Sequence, residues 1–210
     1  LLVRSSVAAA PESQFDNIVD FLDAHVAGVT LEMKAQGDSY DEKFVTEYKR
    51  MLTFGKLKVQ DGSLSIPLFA KIERTNFKKN EDGTAGEVVS TDNSEISAKL
   101  ELSERISTGK VVGILKTTLV NGEKVLGEAD AVVGNFNPKT NELQLQHSSI
   151  GYIDDTVDGV NYHPISRSSD DIFRLDDKGN VVLDQTLHTY LVEPSTLERE
   201  LKSTHSISST

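Results

Sequence analysis

The sequence predicts a mainly β, α+β protein: an antiparallel barrel or sandwich with an amphipathic helix at its start, a second helix near residues 39–52 and a short C-terminal helix. Three observations predict it. Apolar side chains step at every second position through much of residues 56–192. Two-residue turn signals, Asp61-Gly62, Asn121-Gly122 and Asp158-Gly159, punctuate those runs. The strong helical periodicities fall before residue 53. The chain of 210 residues is long enough to bury one core without covalent staples. It divides into an arm (1–10), a helical lead-in (11–52), an antiparallel body (56–192) and a short helix with a tail (195–210).

The arm carries an Ala8–Ala10 run, but Arg4 interrupts its apolar stretch, which is too short for an intact signal peptide. Phe15, Ile18, Val19, Leu22 and Val26 share one helical face, with Pro11 suited to the first turn and Gly28 to the stop. A short strand over 29–34 follows, and Gly37-Asp38 breaks it. Ser39 and Glu42 have capping-box spacing, and Tyr40, Phe44, Tyr48 and Met51 follow at three- and four-residue steps, so 39–52 is predicted helical.

From Lys56 the period becomes two. Asp61-Gly62 links Leu57 and Val59 to Leu64, Ile66, Leu68, Ala70 and Ile72, with Pro67 marking an edge or a bend. Residues 78–94 are polar and read as a long exposed loop, a candidate assembly arm. Strands near 96–102, 110–120, 124–133 and 142–150 then form a four-stranded meander, with Gly113 and Gly127 marking bulges or curvature. Further strands are predicted at 151–157, 160–163, 171–175, 181–185 and 187–192. Pro194 ends the last, Ser195 and Glu198 signal a helix over 196–201, and 203–210 reads as a polar tail.

Charge bounds the function. With 33 acidic against 22 basic residues the net charge is −11, which repels phosphate backbones and anionic lipid surfaces. Sequence-specific nucleic-acid binding is therefore not expected, although an acidic channel would let DNA slide without sticking. No cysteine means no disulfide, thiolate metal site or thiol nucleophile. No stretch approaches the roughly 20 apolar residues of a spanning helix. Aromatic residues are 6% and Trp is absent, so aromatic pockets and sugar-stacking platforms are poorly supplied.

Motifs for chemistry are missing. There is no Gly-x-Ser-x-Gly, His-Glu-x-x-His, Walker loop or Gly-x-Gly-x-x-Gly. No spacing nominates any of His25, His147, His163, His188 or His205, and no catalytic or cofactor-binding residue is assigned. The one metal candidate is the acid-rich turn Asp154, Asp155 and Asp158, which could hold calcium through carboxylates and carbonyls. It lacks the Asp-x-Asp-x-Asp-Gly spacing and the distal Glu, so a solvated turn is the simpler reading. Asp170-Asp171 and Asp176-Asp177 are weaker still. On these grounds the leading expectation is a non-enzymatic structural protein that self-associates, such as a virion or tail-tube subunit, with copies of itself as partners. The alternatives are a β-barrel small-ligand-binding module of the lipocalin kind, and a hydrolase or isomerase on a β-scaffold. Compartment is not indicated.

Overall fold

A computed structural model of the chain describes residues 13–38, 43–125, 129–157 and 160–209, and their side chains except at 38, 150–157, 160–165, 202 and 203. One helix, α1 (Gln14–Phe21), opens it and continues as a π-wound turn, Leu22–Val26. Twelve strands follow: β1 (Thr30–Asp38), β2 (Phe44–Phe54), β3 (Lys58–Gln60), β4 (Ser63–Lys79), β5 (Ala85–Arg105), β6 (Lys110–Val120), β7 (Glu123–Lys124), β8 (Ala129–Asn137), β9 (Glu142–Val157), β10 (Val160–Leu175), β11 (Val181–Val192) and β12 (Arg199–Ser209).

Ten of them close a ring in the order β1-β12-β11-β10-β9-β8-β6-β5-β4-β2, with β2 pairing back onto β1. Every contact in the ring is antiparallel. The barrel option of the sequence reading holds, and the sandwich option does not. Closure removes the free edges an open sheet would present. β3 and β7 are short hairpin arms on β4 and β6.

The amphipathic helix forms as its periodicity demands. Ser13 is the N-cap, and its hydroxyl accepts from the Asp16 amide at 3.0 Å, while Pro11 lies outside the described residues. The apolar stripe packs across one end of the barrel. Ile18, Leu22 and Val26 are buried to 1% exposure or less, each removing side chain worth roughly 1.5–3 kcal/mol from water. Gly134 permits the approach, because a Cβ there would lie 3.2 Å from Ile18 Cδ1. Gln14 then locks the helix to β8, donating to the Phe136 carbonyl at 3.0 Å and accepting from its amide at 2.7 Å. Leu64, Ile66, Leu102, Val111, Leu143, Leu183 and Ile207 complete a dry layer above the helix.

Four expectations are corrected. The predicted second helix at 39–52 is a bend at Lys43 and strand β2 from Phe44 onward; residues 39–42 lie outside the described residues. Tyr40, Phe44 and Tyr48 are four apart, a spacing that a two-residue period also satisfies. The inward set is Thr46, Tyr48, Arg50, Leu52 and Phe54, while Met51 falls out of phase and is 44% exposed. The Gly37-Asp38 break does not occur, since β1 runs to Asp38. The polar loop at 78–94 is a hairpin, with β4 reaching Lys79 and β5 starting at Ala85. Its inner face is polar, which erases the apolar alternation. Polar relays hold it instead: Thr46 Oγ1 donates to Asn76, Asn76 Nδ2 donates to Ser90, and Arg74 pairs with Asp92 at 2.8 Å.

The predicted C-terminal helix and tail are a turn and strand β12. Glu193 competes successfully for the capping groups, accepting from the Ser195 hydroxyl and the Thr196 amide. The remaining chain fills the gap between β11 and β1, pairing along β11 from Val192 to Asp184 and with β1 at Met33 and Lys34, which one isolated helical turn cannot match. Elsewhere the turn chemistry is as read. Asp61-Gly62 joins β3 to β4 with both residues at positive φ, and Pro67 sits where β4 exchanges β3 for β2. The meander β5-β6-β8-β9 pairs in that order. The 160–163 and 171–175 segments merge into β10, and 181–192 is one strand. The arm 1–10, Gly127 and the Asp158-Gly159 turn lie outside the described residues.

Candidate functional site

Beyond the layer above the helix the barrel holds a partly open chamber of about 500 Å³. Its two walls differ because the inward phase of each strand changes character. On β4, β5 and β6 the inward positions are Leu68, Ala70, Ile72, Ile96, Ala98, Leu115 and Thr117, a wall that is apolar but for one hydroxyl. On β2, β8, β9, β10 and β11 the phase that carries Leu52, Val132, Leu145, Phe173 and Leu183 in the lower layer switches to Arg50, Asp130, His147, Asp171 and Gln185.

These five side chains form one network. His147 stands directly across from Val132 on β8 and Ser169 on β10, so Asp130 and Asp171 reach it on opposite diagonals. Nδ1 meets Asp130 at 2.9 Å and Nε2 meets Asp171 at 3.2 Å. Asp171 also accepts from Ser169 Oγ at 2.5 Å and from its cross-strand neighbour Gln185 at 2.9 Å. Arg50 reaches over β1 and β12 to give Nη1 to Gln185 Oε1 at 2.8 Å. Burial alone would lower the His147 pKa. Hydrogen bonds and charge from both carboxylates outweigh that and push it up to about 9. His147 is therefore an imidazolium at neutral pH.

One donor in the network has no acceptor. Arg50 Nε is buried and unpaired among the described residues, a condition shared only with His205 Nε2, beside Gly37 and Tyr48. Burial pulls the Arg50 pKa down while Asp171 opposes that; a guanidinium keeps its charge under such conditions.

The geometry argues against acid–base catalysis at His147. Both ring nitrogens are engaged by carboxylates, so neither is free to take a proton from a bound molecule. Ser169 donates to Asp171 and not to the imidazole, which is not the order that activates a serine nucleophile. The network is a fixed array of charge.

Sequence reasoning did not select these residues. Their signal is a polar residue in the apolar phase of an alternating run: His147 after Leu143 and Leu145, Gln185 after Val181 and Leu183, Asp171 before Phe173, and Arg50 before Leu52. Of the predicted calcium candidate, no side chain is among those described. Asp154 and Asp155 fall on the distal part of β9, with their side chains outside those described, and Asp158 lies outside the described residues altogether. Among the described residues no group of three or more His, Asp or Glu is placed to hold a metal ion, and no helix is long and apolar enough to cross a membrane. No protein-family model and no curated protein sequence matches the chain.

Proposed function

We propose that the protein is a binding module that encloses a small, partly apolar molecule inside its barrel. The observation that carries this reading is the 500 Å³ chamber with one apolar and one charged wall. Small-molecule sites commonly occupy about 300–1,000 Å³, with mostly apolar linings and a few placed polar groups. The apolar wall supplies the hydrophobic driving force, and the charged wall orients the guest.

Self-association draws no support from the closed ring or from the β4–β5 hairpin, and neither tells against it. A hydrolase or isomerase reading draws nothing from a histidine whose two nitrogens are already engaged.

The test uses Nile red, a neutral apolar dye whose emission rises in dry surroundings, with the wild-type protein and Ala98→Phe. Ala98 lines the chamber opposite Leu68, and a phenyl ring there fills part of the space. Saturable dye binding that falls at least about tenfold in Ala98→Phe supports the proposal, since overpacking excludes a guest by displacement. Equal binding by both proteins places the dye on the surface and refutes it.

A further inference from the structure

Resting on the binding reading above, we infer that the guest is an amphipathic monoanion, an apolar chain or ring bearing a single carboxylate that docks on the Nε edge of Arg50. Three features of the chamber converge on this chemistry.

First, a guanidinium presents five N–H donors and accepts nothing. Gln185 Oε1 takes one from Nη1, and Nε–H remains buried without an acceptor among the described residues. The missing partner is an acceptor. A carboxylate matches a guanidinium edge with two parallel hydrogen bonds, which a hydroxyl or a carbonyl cannot do.

Second, the Arg50 guanidinium has no carboxylate of its own. Arg50 and protonated His147 match Asp130 and Asp171 in number, and Arg167, which also lines the chamber, is exposed. Both carboxylates are committed to His147, and Asp171 also to Ser169 and Gln185. Neither is free to neutralise Arg50 directly. A guest carboxylate gives Arg50 the anion it lacks, whereas a cationic guest leaves Nε–H unpaired.

Third, the opposite wall is mostly carbon. Beside Leu68, Ala70, Ile72, Ile96, Ala98 and Leu115 it presents one hydroxyl, that of Thr117, too few partners for a polyol or a second acid group. The guest therefore has one polar end and an apolar body.

The experiment titrates decanoate, decanol and decyltrimethylammonium into the intact protein by calorimetry. The same titrations follow with Arg50→Met and Arg50→Lys, each checked by circular dichroism. The expected result is wild-type binding of decanoate roughly 10- to 100-fold tighter than decanol, from the charge-assisted pair, with the ammonium weakest. Arg50→Met should abolish the preference for the acid while leaving decanol affinity within about twofold, since the apolar wall is intact. If Arg50→Met does not fold, Arg50→Lys is decisive, because lysine keeps the charge but lacks the planar pair of donors. The preference should then fall without loss of decanol binding. Equal wild-type affinity for acid and alcohol overturns the headgroup assignment and leaves the binding module standing. A preference that survives both substitutions overturns the role of Arg50. Failure of all three probes to bind overturns the binding module and this inference with it.

Discussion

Replacing His147 with Gln tests whether the chamber is built around a buried cation. The ring lies between Asp130 and Asp171 and is held with a pKa of about 9 against an ordinary 6.5. At about 1.4 kcal/mol per pH unit, tighter proton binding by the folded state contributes about 3 kcal/mol to folding. Because the folded pKa lies above the unfolded one, the contribution is complete below about pH 6.5. It declines as pH rises and is lost once pH passes about 9. Glutamine spans part of the same space but cannot titrate. Urea denaturation of both proteins at pH 6 and pH 10 isolates the effect, since lysines and tyrosines titrate in both and cancel in the comparison. The stability gap should be about 3 kcal/mol wider at pH 6 than at pH 10. A gap that stays constant across that range would show an imidazole that is not held as a cation, and the charge account of the chamber would fail with it.

Other predictions address the architecture. In β2, Leu52→Ala should cost about 2–5 kcal/mol while Met51→Lys stays within about 0.5 kcal/mol, because Leu52 points into the core and Met51 faces solvent; similar costs in thermal melts would mean the strand phase is wrong. Gly113→Ala should destabilise by more than about 3 kcal/mol, since its Cβ would run into the Glu101 carbonyl across the β5–β6 ladder. Unchanged melting would contradict that close approach. Glu193 accepts from Ser195 and Thr196, which holds its carboxyl down to about 2. Its support of the β11–β12 turn is present above about pH 4.5 and disappears as pH falls through about 2, and carbon-detected NMR titration should read that midpoint.

How far the sequence reveals this fold depends on which face each strand shows to what. The first half of β9 has an apolar inner face and a polar outer one, so its two-residue alternation is plain, whereas β6 and β8 also turn apolar residues outward, Ile114 and Val133 among them. The upper halves of β4 and β5 turn a polar set inward, Arg74, Asn76, Ser90 and Asp92, and carry Phe77, Val88 and Val89 out of any regular alternation. No hydrophobic pattern survives there to read. β12 has the same difficulty: Ile207 is its deeply buried anchor, and the Ser- and Thr-rich remainder is ordered by ladders to β1 and β11 that form only when the ring closes. β2 was misleading for a different reason, a four-residue aromatic spacing common to both periods. The charged wall was hidden because its members lie far apart along the chain, at 50, 130, 147, 171 and 185, and only the register of five strands brings them together. Motif searching cannot find such a set. Polar residues standing in the apolar phase of a strand can suggest it.

The absence of cysteine from the whole chain allows the central claim to be tested at single positions. Ala98→Cys places one thiol on the chamber wall, and Lys99→Cys places one on the adjacent, outward and exposed position. The alkylation rate of each thiol is measured with and without decanoate at about ten times its Kd. A guest held inside the barrel should slow modification at 98 by roughly tenfold, in proportion to occupancy, and leave position 99 untouched. Protection of both thiols, or of neither, would contradict a molecule enclosed in the chamber.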